Sequence, residues 1–370
     1  MSQKDGFVKV LGRLDVLVLA FGAMIGWGWV VLANGWVQSA GVLGSLIAFV
    51  IGAIMVLFVG LTYAELTSAM PETGGEHVYT HRAMGLRWSF IASWAIALGY
   101  ISVVAFEAVA LPTVLEYLVP NYKVGHMWTV AGWDVHASWV AVGMLGAFFI
   151  TWLNYVGVKT AAVFQLICTV VLGLAGVLLI TGSLVTSGTP SPAPLLVDGW
   201  SGIFAVMVMI PFLFVGFDVI PQAAEEINIP HKQIGNILIL SVILAALFYI
   251  GVTYGVGHSL GAEELKNTKL ASVDAMAAVF GSPLAAKILI LGGIGGILTS
   301  WNAFMIGGSR ILYAMADSNM IPKWVAVMHP KYKTPSNAIL FIGVLSILAP
   351  LFGRKMLVWL VDAGGAGMAV

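Results

Sequence analysis

The first long apolar run of this chain contains the sequence GAMIGWG at residues 22–28. Its three glycines weaken a helix, because glycine disfavours helical backbone more than any residue except proline. A second interruption, PFLFVGFD at residues 211–218, brings a proline, a glycine and an acid into the sixth apolar run. We therefore expect two helices that are broken near their middles.

The composition around these stretches is that of an integral membrane protein. Of the 370 residues, 60% are hydrophobic and only 9% are charged, whereas soluble domains carry about 25% charged residues. The apolar residues form long runs instead of alternating at every second position, which indicates spanning helices and not barrel strands. We predict an all-α integral membrane protein.

The apolar runs predict about ten spans. Their expected bounds are 15–38, 41–68, 88–118, 137–156, 160–183, 201–222, 236–257, 285–316, 336–352 and 356 to the end. The last run is short, so we expect the chain to end within span ten. A cytoplasmic N-terminus places most loop lysines and arginines in the cytoplasm, as the positive-inside rule requires. We expect a multi-pass protein of the cell membrane with a cytoplasmic N-terminus.

The two broken helices lie five spans apart, in corresponding places of two halves of opposite orientation. These halves would be residues 1–190 and 191–370. Non-helical backbone at membrane depth is tolerated only where it is buried in protein or lines a cavity, and such a pair is typical of secondary transporters with a site at the midplane. The alternative is that both are kinked packing helices, because Gly and Pro are common in membrane spans.

Three stretches together resemble the amino acid-polyamine-organocation superfamily of permeases. They are the first break at 22–28, the segment 63–85 with YAEL, MPETGGEHVY and AMG, and the segment 214–230 with FVGFD and AEEINIP. The resemblance covers essentially the whole chain. It implies the 5+5 inverted-repeat fold of the bacterial leucine transporter, and a permease for amino acids or related amines that works by alternating access.

The resemblance also implies a substrate site built largely from main-chain groups. The N–H groups of Trp27 and Gly28 would receive a carboxylate, as suits the positive end of a helix. The carbonyls of Met24, Phe212 and Val215 would accept hydrogen bonds from an α-ammonium. Phe212 corresponds to an aromatic residue that closes over substrate in relatives; the alternative is an aromatic packed in a helix. Trp27 departs from the small residue frequent in relatives and would narrow the pocket.

Two acids lie within predicted spans, where a charge costs about 3 kcal/mol or more. Glu107, near the middle of span three, would hold a cationic group of the substrate or carry a proton. Its alternative role is an interhelical hydrogen bond made by a protonated carboxyl. Asp218, in span six, would carry a proton or stabilise unwound backbone N–H groups.

Coupling to sodium is predicted from spans five and eight. Leu172 stands where proton-coupled relatives often have a lysine, and Lys159 is expected to be an interfacial anchor. By resemblance, a Na⁺ site would use the carbonyls of Gly22, Ile25 and Gly296 with the hydroxyls of Thr299 and Ser300. The alternative is that these hydroxyls bond back to the preceding turn. Proton coupling and exchange are the other mechanisms considered.

Several function classes lack support in the sequence. The net charge is zero and no basic stripe is present, which argues against nucleic-acid partners. Neither zinc-ligand spacing, a phosphate-binding loop nor a catalytic triad is evident, and the single cysteine, Cys168, lies in an apolar run. No cofactor is expected besides a coupling ion. The partners expected are a small amino acid or amine and the lipid bilayer; an ion channel or a membrane-embedded enzyme is the rival class.

Overall fold

The computed structural model describes residues 6–186, 193–356 and 359–360. Almost all regular structure in these ranges is helical. The helices are α1 Arg13–Met24, α2 Gly28–Val31, α3 Ala33–Ala69, α4 Glu76–Met84, α5 Leu86–Leu118, α6 Ala137–Val156, α7 Val158–Val185, α8 Gly199–Met207, α9 Ile210–Phe214, α10 Val219–Gln222, α11 His231–Ser259, α12 Ala262–Asn267, α13 Ala271–Phe280, α14 Pro283–Asp317 and α15 Ser336–Leu348. Three short 3-10 turns lie at Ala224–Glu226, Lys323–Ala326 and Ala349–Phe352.

Eight helical segments of the described ranges are long and apolar enough to cross a bilayer. These segments are Arg13–Val31, Ala33–Ala69, Leu86–Leu118, Ala137–Val156, Val158–Val185, Gly199–Gln222, His231–Ser259 and Pro283–Asp317. They correspond to the first eight predicted spans, so the prediction of a helical multi-pass membrane protein is confirmed. The predicted ninth span is a shorter apolar helix, Ser336–Phe352. Most of the predicted tenth span, and the predicted division at residue 190, lie outside the described residues.

A glycine sets the boundary between the first two spans. α3 contains Gly41 at φ +75°, where the chain leaves helical geometry. A methyl group added there would lie 2.7 Å from the backbone of Leu195, so only glycine combines this conformation with this close approach. The backbone N–H of Leu43 donates to the carbonyl of Leu195 at 2.8 Å. The predicted boundary between residues 38 and 41 therefore falls at a real turn.

One hairpin departs from the predicted all-helical chain. Strands β1 His126–Val130 and β2 Trp133–His136 pair antiparallel after α5. Ala131 and Gly132 connect them, both with positive φ, as a tight two-residue hairpin turn requires. The segment lies between two predicted spans and leaves the helical membrane part of the fold unchanged.

The helices pack around α14 and α11. α14 contacts α1, α5 and α7, whereas α11 lies along α3 and also contacts α1 and α7. Large apolar side chains remain exposed on the outer faces of α3, α5 and α7, as expected of surfaces that meet lipid. α1 is thus held between the two central helices, and its broken end lies inside the bundle.

Candidate functional site

The first helical break spans residues 25–27. α1 ends at Met24, α2 begins at Gly28, and Ile25 has the non-helical angles φ −95° and ψ 68°. The carbonyl of Trp27 accepts the N–H of Val30 at 3.0 Å, which starts the second half-helix. Within the described ranges, no group accepts a hydrogen bond from the N–H of Gly26, Trp27 or Gly28. These donors are free to bind an anionic group.

The second break spans residues 215–218, and the side chain of Asp218 braces it. α9 ends at Phe214 and α10 begins at Val219. Asp218 accepts a hydrogen bond from the N–H of Gly216 at 2.8 Å through one carboxylate oxygen, and from the hydroxyl of Tyr100 through the other. One of the two roles considered for Asp218, stabilising unwound backbone, is therefore visible in the structure.

The two breaks touch each other. Gly216 has φ +129°, and a methyl group added there would lie 2.6 Å from Cβ of Ala23 and 2.9 Å from the backbone nitrogen of Met24. Any larger residue at position 216 would push the two broken segments apart. Residues 193 positions apart are thereby brought into one place.

Tyr249 of α11 joins the same two segments, and the sequence did not single it out. Its hydroxyl oxygen lies 2.8 Å from the carbonyl of Met24 and 3.0 Å from that of Leu213, and its single proton is shared between them. Its ring stacks on Phe49 at a centroid distance of 5.5 Å. The Met24 carbonyl, predicted to face substrate, already has a protein donor. A tyrosine hydroxyl in an apolar span needs a partner, and this is the signal that could have identified it.

The aromatic residue packed at the second break is Phe214 instead of Phe212. Phe214 is buried, with its ring 5.5 Å from that of Tyr249. Phe212 is 43% exposed, so in this arrangement its ring does not close over a buried site. Val215, the other residue predicted to offer a carbonyl, lies at the start of the break in extended conformation. Helical periodicity explains why Phe214 and not Phe212 is buried, because residues two positions apart on a helix face different directions.

Glu107 of α5 lies beside the first break. It is 3% exposed, and its Oε1 accepts a hydrogen bond from Oγ of Ser300 at 2.5 Å. A methyl group added to Gly26 would lie 3.4 Å from Cβ of Ser300 and 3.8 Å from that Oε1. Its Oε2 is buried and has no hydrogen-bond partner in the described part of the chain. A buried carboxyl oxygen without a partner calls for a proton, a donor or a cation.

The five residues of the predicted sodium site lie together where α1 meets α14. A methyl group added to Gly22 would be 3.0 Å from Cβ of Thr299, and one added to Gly296 would be 3.1 Å from the carbonyl oxygen of Ile25. The Thr299 hydroxyl donates back to the Gly296 carbonyl at 2.9 Å, and Ser300 donates to Glu107. The back-bonded arrangement named as the alternative is thus present for Thr299. Sodium binding stays a prediction.

The prediction for span five needs a correction. Leu172 is buried beside Gly295, whereas Gln165 and Thr169 are the residues of α7 that face Gly22. The Gln165 amide donates to the carbonyl of Val18 at 3.3 Å. Leu172 lies one helical turn too far along α7 to meet that point of α1. At the start of this span, Nζ of Lys159 lies 2.8 Å from Oδ2 of Asp15; its role as an interfacial anchor stays a prediction.

Taken together, the fold and these contacts define a multi-pass membrane protein whose first and sixth spans are both broken and meet inside the bundle. A sequence model described as "Amino acid permease" matches residues 15–365. The chain therefore belongs to the amino acid permease family, and the resemblance to the amino acid-polyamine-organocation superfamily is confirmed.

Three relatives show the range of this family. The "Branched-chain amino acid permease BcaP" of Bacillus subtilis is 28% identical, over 94% of this chain and 75% of its own length. "Cationic amino acid transporter 4" of Mus musculus is 28% identical, over 98% of this chain but 58% of its own length. The "Aspartate-proton symporter" of Bacillus subtilis is 25% identical, over 94% of this chain and 68% of its own length. All three are named as transport proteins with different amino acid substrates.

Proposed function

We propose that this protein is a secondary active transporter for amino acids or related amines that works by alternating access. One observation carries the proposal: the two broken segments meet in the bundle, where the N–H groups of Gly26, Trp27 and Gly28 have no described acceptor and the buried carboxyl of Glu107 lies next to Gly26. Family membership and relatives that are named as amino acid transporters support it.

Main-chain groups recognise the part common to all amino acids. The N–H groups of Trp27 and Gly28 bind the carboxylate, because they point out of the start of a half-helix and lack a described partner. The carbonyls of Val215, Phe212 and Met24 accept hydrogen bonds from the α-ammonium. The Met24 carbonyl becomes available when the Tyr249 hydroxyl directs its hydrogen bond to the carbonyl of Leu213 alone. Side chains then select among zwitterions.

Glu107 binds a cationic group of the substrate or holds a proton. Its free Oε2 is the only carboxyl oxygen beside the first break, among the described residues, without a hydrogen-bond partner. A substrate ammonium or guanidinium placed there would remove the cost of that unpaired oxygen. The hydrogen bond from Ser300 fixes the other oxygen and so orients the carboxyl.

The coupling ion is proposed to be Na⁺, held by the carbonyls of Gly22, Ile25 and Gly296 and the oxygens of Thr299 and Ser300. Both hydroxyls use their protons elsewhere, which leaves their lone pairs for a hard cation. Proton coupling and exchange remain the alternatives. The 5+5 inverted repeat, with a cytoplasmic N-terminus in the cell membrane, is the architecture through which alternating access would occur.

Reconstitution of the purified full-length chain into liposomes tests the proposal. Uptake of radiolabelled amino acids should saturate with concentration and should be driven by an imposed Na⁺ gradient. A pH gradient or preloaded unlabelled amino acid would drive it instead if one of the alternative mechanisms holds. Ionic conductance without substrate saturation would indicate a channel, and chemical turnover in detergent would indicate an enzyme; either result would contradict the proposal.

A further inference from the structure

A buried acid outside the spans packs against the second half of broken span six. Glu76 is the first residue of α4 and is 6% exposed. Gly74 and Gly75 precede it with φ values of +105° and +44°, and a methyl group added to Gly75 would lie 3.0 Å from Cβ of Pro221 and 3.2 Å from Nε2 of Gln222. The two glycines therefore allow the start of α4 to dock directly on α10.

The carboxyl of Glu76 and the amide of Gln222 form an incomplete pair. Nε2 of Gln222 donates a hydrogen bond to Oε2 of Glu76. The other oxygen of each group, Oε1 of Glu76 and Oε1 of Gln222, is buried and lacks a hydrogen-bond partner among the residues described. Both are acceptors when the acid is ionised, so neither satisfies the other. The Tyr63 hydroxyl is also close enough to the Glu76 carboxyl to donate to it, but it leaves Oε1 of Gln222 unpaired. One proton on the Glu76 carboxyl supplies the donor that this amide oxygen lacks.

The charges around Glu76 point the same way. The titratable groups that face it are Asp218 of span six, Tyr63 of α3, Tyr100 of α5 and Tyr79 of its own helix. None of these becomes positive, and within the described ranges Glu76 has no ion pair.

The cationic groups nearby in the fold are engaged or neutral. Arg310 of α14 is held by both carboxylate oxygens of Glu226 at 2.9 Å. Burial lowers the pKa of His77 to about 4, with a smaller contribution from electrostatic repulsion by His81, so His77 is neutral at physiological pH. Burial raises the pKa of Glu76 to about 8, and repulsion by the nearby carboxylate of Asp218 is the second cause.

We infer that Glu76 is a proton-binding site, at which a protonated carboxyl and the Gln222 amide form a ring of two hydrogen bonds while α4 is docked on α10. The carboxylate takes one proton from water when the two segments dock. It releases that proton to water when they separate and the acid becomes hydrated. The O–H bond of the Glu76 carboxyl is the one covalent bond that forms and breaks.

The site links docking of α4 to pH. The pKa of Glu76 is raised in the docked arrangement and near its ordinary value of 4.5 when hydrated. The proton's contribution to docking is therefore complete below about pH 4.5 and lost as the pH rises through about 8. α10 is the far half of broken span six, so substrate held at the break and the proton at Glu76 should each strengthen the binding of the other. This last step rests on the proposed transport function; the protonation itself does not.

Infrared difference spectroscopy on the full-length protein in lipid nanodiscs tests the protonation directly. Titration from about pH 5 to about pH 10 should remove a protonated-carboxyl band with a midpoint near pH 8. Glu76→Gln should lack that band, since a second amide completes the ring with Gln222 without a proton. Asp218→Asn should keep it. The exchanged double variant Glu76→Gln with Gln222→Glu restores one carboxyl and one amide and should restore a titrating band.

Three outcomes overturn the inference. The first is a spectrum of Glu76→Gln identical to that of the wild type, which means that Glu76 is ionised or hydrated throughout. The second is a band that disappears in Asp218→Asn but not in Glu76→Gln, which assigns the proton to Asp218. The third is a midpoint that shifts when Na⁺ replaces choline, which assigns the two free oxygens to a metal cation.

The link to substrate is measured separately. Affinity of the wild type for its amino acid should weaken as the pH rises from about 6 to about 9, by at most about tenfold per pH unit at full coupling. Glu76→Gln should bind as the wild type does at about pH 6 and should not respond to pH. Wild-type affinity that ignores pH overturns the link to substrate. If no amino acid binds at any pH, the proposed function fails while the infrared result still decides the proton site.

Discussion

The two helical breaks differ in how their backbone is satisfied. At the second break, Asp218 accepts the N–H of Gly216 and also the hydroxyl of Tyr100, so one side chain ties the unwound backbone to α5. At the first break, the N–H groups of Gly26, Trp27 and Gly28 find no acceptor in the described part of the chain. The first break thus offers N–H donors that no side chain of the described residues accepts, whereas the second is held by Asp218. We expect substitutions at the two breaks to have different consequences.

The largest effect is expected from Gly28→Leu at the open break. A methyl group at Gly28 would already lie 3.0 Å from Cδ2 of Leu213, so a leucine fills the space next to the free N–H groups and presses the breaks apart. Amino acid uptake should fall to background, roughly a hundredfold or more, while the protein still reaches the membrane. Gly35→Leu is the matched control, because a methyl group there meets no described atom within 4 Å. Wild-type uptake by Gly28→Leu would refute the site.

The double change Thr299→Val and Ser300→Ala sharpens the comparison, because both hydroxyls lie beside the first break and not the second. If Na⁺ binds there, substrate affinity should be about tenfold to a hundredfold higher in sodium chloride than in choline chloride. The double variant should lose that difference. The measurement is substrate affinity by calorimetry at equal ionic strength. Indifference of the wild type to sodium excludes the predicted ion site, and coupling would then depend on protons or on exchange.

Glu107→Gln separates charge recognition from packing at the first break. The amide oxygen can still accept the hydrogen bond of Ser300, so the local structure should persist. Cationic amino acids should lose about tenfold in affinity or more, whereas neutral ones should be nearly unchanged. Competition against one labelled substrate by lysine, arginine, leucine and alanine gives the comparison. An equal loss for both classes would assign Glu107 a structural or proton-carrying role.

Tyr249→Phe is expected to have the smallest effect. It removes the hydroxyl shared by the carbonyls of Met24 and Leu213 but keeps the ring stacked on Phe49. Loss of one buried hydrogen bond should cost about 1 kcal/mol, which is a severalfold change in affinity or a small fall in the thermal unfolding midpoint. An affinity that rises instead would mean that Tyr249 competes with the substrate ammonium for the Met24 carbonyl.

The sequence does not predict which side chains form hydrogen bonds with these breaks. Glu107 could be singled out from the sequence because a carboxyl in an apolar run is costly and therefore conspicuous. Gln165, Tyr249 and Glu76 were missed. Each makes its decisive contact with a residue distant along the chain, namely Val18, Leu213 and Gln222. Leu172 shows the same limit, because an error of one helical turn on α7 changes which residue faces α1.

The sequence by itself determined that this is a helical membrane protein with many long spans, of which the first and the sixth are interrupted, because apolar length and the positions of Gly and Pro are local properties. Tertiary structure alone decided that the two interruptions touch at Gly216 and Ala23. It also decided that Asp218 accepts a backbone N–H of the second break, while no side chain of the described residues does so at the first. The physical reason is that a buried polar group is satisfied by whatever the fold brings within about 3 Å of it, and that neighbour is set by helix packing instead of by position along the chain.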